Sequence, residues 1–218
     1  MTDVYAQVAD RFTSRFLRSY TRSKLRYDPV YPAVLERLRG SSAPLFDIGC
    51  GIGLLEFFLR ESGFANPIIG IDHDQRKVAA ANRIATGYRD LEFRAGDARD
   101  PIPAGNNVAL LDVLHYFSSE DQSRILKNAA VAAAGGGVVI IRDAVRDGTL
   151  RYRLTALQER FSRAIRWLRA ERLNFPTESQ IRKPFEGFVE EVVPMWGGTP
   201  FNNYLFVFRR VGEGITKR

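Results

Sequence analysis

Four carboxylates stand where apolar runs stop, and one of them is followed by three alternate glycines. The run Leu45-Phe46-Asp47-Ile48 leads into Gly49-Cys50-Gly51-Ile52-Gly53 and then into the amphipathic segment that starts at Leu54. This order reads as a buried strand, a tight turn and a helix N-terminus. Glycine lets the backbone turn with positive φ and lets a ligand approach without a Cβ in the way. The unsatisfied N–H groups of a helix start face that ligand. The dinucleotide fingerprint is Gly-x-Gly-x-x-Gly. Here the spacing is Gly-x-Gly-x-Gly, and Leu54 stands where the third fingerprint glycine would be. A carboxylate two residues before the first glycine repels a pyrophosphate and suits a cationic ligand. The residues alone leave open a bare strand–turn–helix or an NAD site.

Asp72 ends the next apolar run, 67–73, about 20 residues past the glycine turn, where doubly wound folds place an acid for ribose hydroxyls. Asp97 ends the alternating segment 91–97, and Asp112 lies in the fourth run, 107–113. The chain has two histidines, His73 and His115, both at expected strand ends. A histidine near neutrality can take a proton from a hydroxyl nucleophile. His115 is therefore the candidate general base, with packing on a cofactor as its plainer alternative; His73 is a candidate for the cofactor edge, with a polar loop side chain as its plainer alternative. No cysteine–histidine cluster has metal-ligand spacing, so no metal is expected.

These motifs resemble those of the class I S-adenosylmethionine (SAM) dependent methyltransferases. The family's first motif is Asp/Glu-x-Gly-x-Gly-x-Gly, which Asp47, Gly49, Gly51 and Gly53 match. The resemblance implies SAM as cofactor and S-adenosylhomocysteine as product. It implies Asp47, Gly49, Cys50, Gly51 and Gly53 at the methionine end, and Asp72 with neighbouring His73 at the ribose. It places Asp97 and the Ala98 N–H at the adenine, and Asp112 and Leu114 along the floor. Methyltransferases that act on base amines carry Asn/Asp-Pro-Pro-aromatic after the fourth strand. This chain has Asp112-Val113-Leu114-His115-Tyr116, which is similar to small-molecule enzymes.

The elements that must position these groups follow an alternating pattern. Residues 4–24 read as a helix with Val4, Val8, Phe12, Phe16 and Leu17 on one stripe. A second short helix runs from Pro29 to Leu38, and Gly40-Ser41-Ser42 links it to the first strand. Helices are expected over 54–62, 74–85 and 118–134, and a fifth strand over 138–143. A long basic amphipathic helix is expected over 149–173. Strands over 188–195 and 204–210, joined by a turn at Gly197-Gly198-Thr199-Pro200, close the sheet. The expected fold is α/β, a doubly wound, seven-stranded, mostly parallel sheet in one domain spanning 1–218. Residues 1–40 would form a helical lid, 43–148 the SAM-binding half, 149–183 a basic lid and 184–210 the closing strands.

Charge is uneven along the 218 residues. The net charge is +7. Residues 11–39 carry eight Lys/Arg against two acids, and residues 142–183 carry eleven against five. Residues 40–141 carry nine against twelve. The excess positive charge thus lies on the two segments expected to meet the acceptor. That favours a small-molecule or lipid-like acceptor that is anionic or held on an acidic carrier protein, with an aryl group as one form. Peripheral contact with an anionic membrane is a further expectation. Nucleic acid is disfavoured as a partner, because no RNA-binding module is recognisable. An RNA-modifying methyltransferase and a SAM-binding protein without catalysis are the alternatives to the small-molecule enzyme. Cys50 is the only cysteine, which fits a reducing, cytoplasmic compartment. No transmembrane or leader segment is expected.

Overall fold

A computed structural model describes residues 3–149, 151–152, 173–196 and 202–210. Three helices lead: α1 (Val4–Asp10), α2 (Arg15–Tyr27) and α3 (Val30–Leu38). They are followed by β1 (Leu45–Ile48), α4 (Leu54–Glu61), β2 (Ile68–Asp72), α5 (Gln75–Ala85), β3 (Leu91–Ala95) and β4 (Asn107–Leu111). Then come α6 (Ser119–Ala132), β5 (Val138–Ala144), α7 (Glu178–Arg182), β6 (Phe188–Pro194) and β7 (Asn203–Arg210). The seven strands form one sheet in the order β3-β2-β1-β4-β5-β7-β6. Strands β1 to β5 are parallel, while β7 runs antiparallel to β5 and β6 antiparallel to β7.

The strands form where expected because parallel strands covered on both faces are almost continuously apolar. All four residues of β1 and all seven of β5 are buried. Alternate residues divide the core. Leu45, Ala109, Ile140 and Val207 pack with α1 to α5 on one face. Phe46, Val108, Leu110, Ile141 and Phe208 pack with α6 and α7 on the other. Asn107 pins the entry to the sheet: its amide donates to Ala43 O at 2.9 Å and its oxygen accepts the Val138 N–H at 3.0 Å.

The leading helix differs from expectation. It is broken at residues 11–14 into α1 and α2, with Ser14 Oγ accepting the Leu17 N–H and capping a new helix. A continuous apolar stripe hid this restart, because periodicity alone does not register a local cap. The strand expected over 107–113 stops at Leu111, and Leu114–Tyr116 is a single 3-10 turn. The basic helix expected over 149–173 lies almost wholly outside the described residues, as does the turn at 197–200. Among the described residues, no helix is long and apolar enough to cross a membrane.

Candidate active site

The chain crosses from one side of the sheet to the other between β1 and β4, and ligands of such sheets lie beyond the carboxyl ends of the strands there. Asp47, Asp72, Asp97 and Asp112 all stand at or just beyond those ends. The glycine turn is held against β2. The Gly49 and Cys50 N–H groups both donate to Ile71 O, at 2.7 and 3.0 Å. The Gly51 N–H donates to Asp72 Oδ2 at 3.0 Å, and the Asp74 N–H donates to Asp72 Oδ1 at 2.8 Å. Gly49, Gly51 and Gly53 all have positive φ. A Cβ on Gly49 would stand 2.3 Å from Val113, and one on Gly53 would meet the Phe93 and Phe57 rings. A Cβ on Gly51 would point into open space. Gly49 and Gly53 are thus required by packing, and Gly51 faces the site.

Three carboxyls gather under this turn: Asp47 on β1, Asp72 on β2 and Glu56 on α4. Each is at most 6% exposed. The nearest basic side chains are Lys77, with Nζ 4.0 Å from Asp72, and His73, with Nδ1 at 3.4 Å. His73 itself is largely exposed. Burial raises the Asp47 carboxyl to about 7; a hydrogen bond with Glu56 opposes that rise and Asp72 adds to it. Burial, with Asp47 beside it, pushes Glu56 well above the usual range. Burial and the same three acids push the Cys50 thiol up, so it stays protonated and is no nucleophile. This acid-lined cradle with an open glycine fits a cationic nucleoside and would repel a pyrophosphate.

Asp97 and Ala98 lie beyond β3. Asp97 is engaged by Arg99, with Nε at 2.9 Å and Nη2 at 2.5 Å, and the hydrogen bonds to Arg99 hold its carboxyl down at about 2. Its acceptor capacity is therefore shared with a neighbouring guanidinium. Asp112 has φ of 59° and pairs with Arg142, whose other nitrogen reaches Asp28 at 2.9 Å. Burial alone would lower Arg142, but Asp112 and Asp28 outweigh it and hold the guanidinium charged. Leu114 is fully enclosed in the core beneath this edge.

His115 is 5% exposed, and its Nδ1 lies 2.7 Å from Asp143 Oδ1. Asp143, at the end of β5, is wholly buried and also accepts the His115 N–H at 3.3 Å and the Ala144 N–H at 2.8 Å. Phe175 stacks on the imidazole at 5.4 Å. Gln122 clamps the turn by donating to Leu114 O, Phe117 O and Asn174 O. A carboxylate on Nδ1 fixes the tautomer with the proton there and the basic lone pair on Nε2. Sequence reading missed Asp143, Glu56 and the Asp28–Arg142 pair. Asp143 did carry a signal, an acid at the end of a buried apolar run, the same pattern that marked Asp47 and Asp72.

The strand order and the glycine turn define a Rossmann-like methyltransferase fold. The family profile described as "Methyltransferase domain" matches residues 40–183, and the chain belongs to the class I SAM-dependent methyltransferases. Strychnine O-methyltransferase of Strychnos nux-vomica is 39% identical over 84 residues, 38% of this chain and 22% of that protein. Indole glucosinolate O-methyltransferase 5 of Arabidopsis thaliana is 35% identical over 101 residues, 46% of this chain and 26% of that protein. The matches thus span about a quarter of those relatives' length. Magnesium protoporphyrin IX methyltransferase from Synechocystis PCC 6803, solved with S-adenosylhomocysteine, superposes with a TM-score of 0.65 at 19% identity, covering 96% of this chain and 94% of that one. The pyocyanin biosynthetic protein PhzM gives 0.67 at 15% identity, covering 95% and 62%.

Proposed function

We propose that the protein methylates a hydroxyl-bearing small molecule, using SAM, and that the acceptor is anionic or presented on an acidic carrier. The observation that carries the reading is the His115–Asp143 pair, a buried base oriented by a buried acid at the same strand edge as the glycine turn. Bound SAM supplies an electrophilic methyl on a sulfonium leaving group. Asp47 and Gly51 would hold its methionine end, Asp72 the ribose, and Asp97 with Ala98 the base. His115 Nε2 takes the acceptor's proton as the nucleophile forms, and Asp143 stabilises the imidazolium. Positioning and exclusion of water supply most of the remaining barrier reduction. Both curated relatives are O-methyltransferases by name, in keeping with a hydroxyl acceptor.

The anionic acceptor is supported by α2. Arg15, Arg18, Arg22 and Arg26 lie along its exposed side and line an open groove of about 450 Å³. Among the described residues, Arg15, Arg22 and Arg26 have no acidic partner, and only Arg18 reaches one, Asp10 at 3.7 Å. Ser23 and Tyr27 also line a neighbouring cavity of about 230 Å³ with Lys24, Arg142, Met195 and Trp196. The basic groove therefore runs into an aromatic and cationic cavity at the end of β5.

Turnover of carboxylated phenols against neutral analogues, with SAM, tests the reading. The charged acceptors are expected to have the lower KM, and Arg22→Glu with Arg26→Glu to raise it while sparing kcat. Equal KM for charged and neutral acceptors would refute the anionic acceptor. Loss of all turnover in His115→Ala together with unchanged cofactor binding would support the base.

A further inference from the structure

Glu56 is a buried ionisable group for which the reaction gives no use. It is 0% exposed, and neither carboxyl oxygen receives a hydrogen bond from any N–H or O–H of the described residues. The neighbouring group that acts on it most strongly is the Asp47 carboxyl. Two ionised carboxylates cannot hydrogen-bond to each other, so contact requires a proton between them. The site is shaped for this acid. Gly70 faces Asp47 across β1 and β2, and a Cβ there would stand 2.6 Å from Glu56 Oε1. Asp47 retains 3% exposure, whereas Glu56 has none. The other titratable groups acting on Glu56 and its partner are Asp72 from β2 and Cys50 from the turn. Lys77 and His73 reach only Asp72. From the leading helices, Tyr5 stacks on Phe58 and Tyr31 packs on it at a tilt, on another side of α4.

We propose that Glu56 is a proton-holding positioning residue: its neutral carboxyl donates to Asp47, fixes that carboxylate beneath the glycine turn, and ties loading of the cationic cofactor to ionisation of Asp47. The inference rests on the cofactor reading above. When Asp47 is protonated, a cation that binds must expel its proton to solvent. When Asp47 is already ionised, loading needs no proton transfer. Burial raises both acids, so the exchange falls near neutral pH.

Calorimetric titration of SAM into the full chain, from roughly pH 5.5 to 9 in buffers of differing ionisation enthalpy, tests the proposal. Affinity is expected to rise by up to about tenfold per pH unit below neutrality, with proton release, and then to level off. Glu56→Gln keeps a neutral donor and should keep this profile. Glu56→Leu removes the donor, so its acid limb should move to higher pH and its affinity at neutrality should fall about tenfold, one pH unit of that limb. Wild-type affinity that is flat with pH, with no proton released, overturns the proposal even if no variant folds. So does a Leu variant that binds like wild type, or a Gln variant weaker than Leu, which would mean that Glu56 acts ionised. A folded wild type that gives no heat with SAM at any pH would instead defeat the cofactor assignment.

Discussion

At the scale of single residues, the same amino acid does different work in neighbouring places. Gly49 and Gly51 are both left-handed, but only Gly49 has a side chain in the way of its missing Cβ. Gly49→Ala combines backbone strain with overpacking against Val113 and should cost about 3 kcal/mol of stability. Gly51→Ala meets only the strain, about 1–2 kcal/mol, yet its methyl would stand where the ligand approaches. Thermal melts should therefore rank Gly49→Ala as the less stable protein, and calorimetry should find the larger loss of SAM affinity, relative to stability lost, in Gly51→Ala. Asp143→Asn keeps an oxygen for one of its two backbone donors and loses the charge that orients His115. Loss of an oriented base should lower kcat by about 10²- to 10⁴-fold. Cofactor affinity should stay unchanged, as read by equilibrium binding beside steady-state rates.

At the scale of elements, the leading helices are tied to the sheet by charge as well as by packing. Asp28, at the end of α2, accepts the Val30 N–H at 3.1 Å and holds both Lys24 and Arg142. Burial raises the Asp28 carboxyl, but Arg142 and Lys24 outweigh it and hold it below the usual range. Removing one partner of a buried pair leaves the other charge uncompensated, at a cost of about 3–5 kcal/mol. Asp28→Ala leaves Arg142 with Asp112 as its remaining carboxylate, so it should lose less than that in urea unfolding, about 2–3 kcal/mol, while Arg39→Ala, whose pair with Glu36 is exposed, should lose under about 1 kcal/mol. The strands were legible from sequence to within a residue or two, because burial on both faces writes itself as an apolar run. Asp47, Asp72 and the glycine turn were legible for the same reason, each being a polar break at the end of such a run. The pairs were not. Asp143 with His115, Arg142 with Asp28 and Glu56 with Asp47 are joined by 28, 114 and 9 positions of chain, and only the folded sheet brings them together. The restart of the helix at Ser14 was missed because a cap is a local hydrogen bond beneath an unbroken stripe.

At the scale of the whole molecule, the acids whose protonation the fold shifts divide into two sets with opposite effects on stability. Asp28 and Asp97 are lowered in the folded state, so their contribution is present above the unfolded carboxylate range and is lost as pH falls through their folded values. Asp47 is raised, to about 7, so between the ordinary carboxylate value and neutrality the folded protein binds more protons than the unfolded chain. Stability from that group is full below its unfolded value and is lost as pH rises towards 7. Across the interval from about pH 5 to 7 the first set is already ionised in both states, and the carboxyl slope belongs to the raised pair, Asp47 and Glu56. The free protein should therefore become more stable on acidification from neutrality to about pH 5, and Asp47→Asn should lessen that rise, leaving the part that comes from Glu56. A cation bound beneath the glycine turn favours the ionised acid, so saturating SAM should oppose or reverse the slope. Denaturant midpoints with and without SAM, taken at several pH values for wild type and Asp47→Asn, measure all three effects. An equal pH slope in the two proteins would show that the acids under the glycine turn do not set the molecule's response to pH.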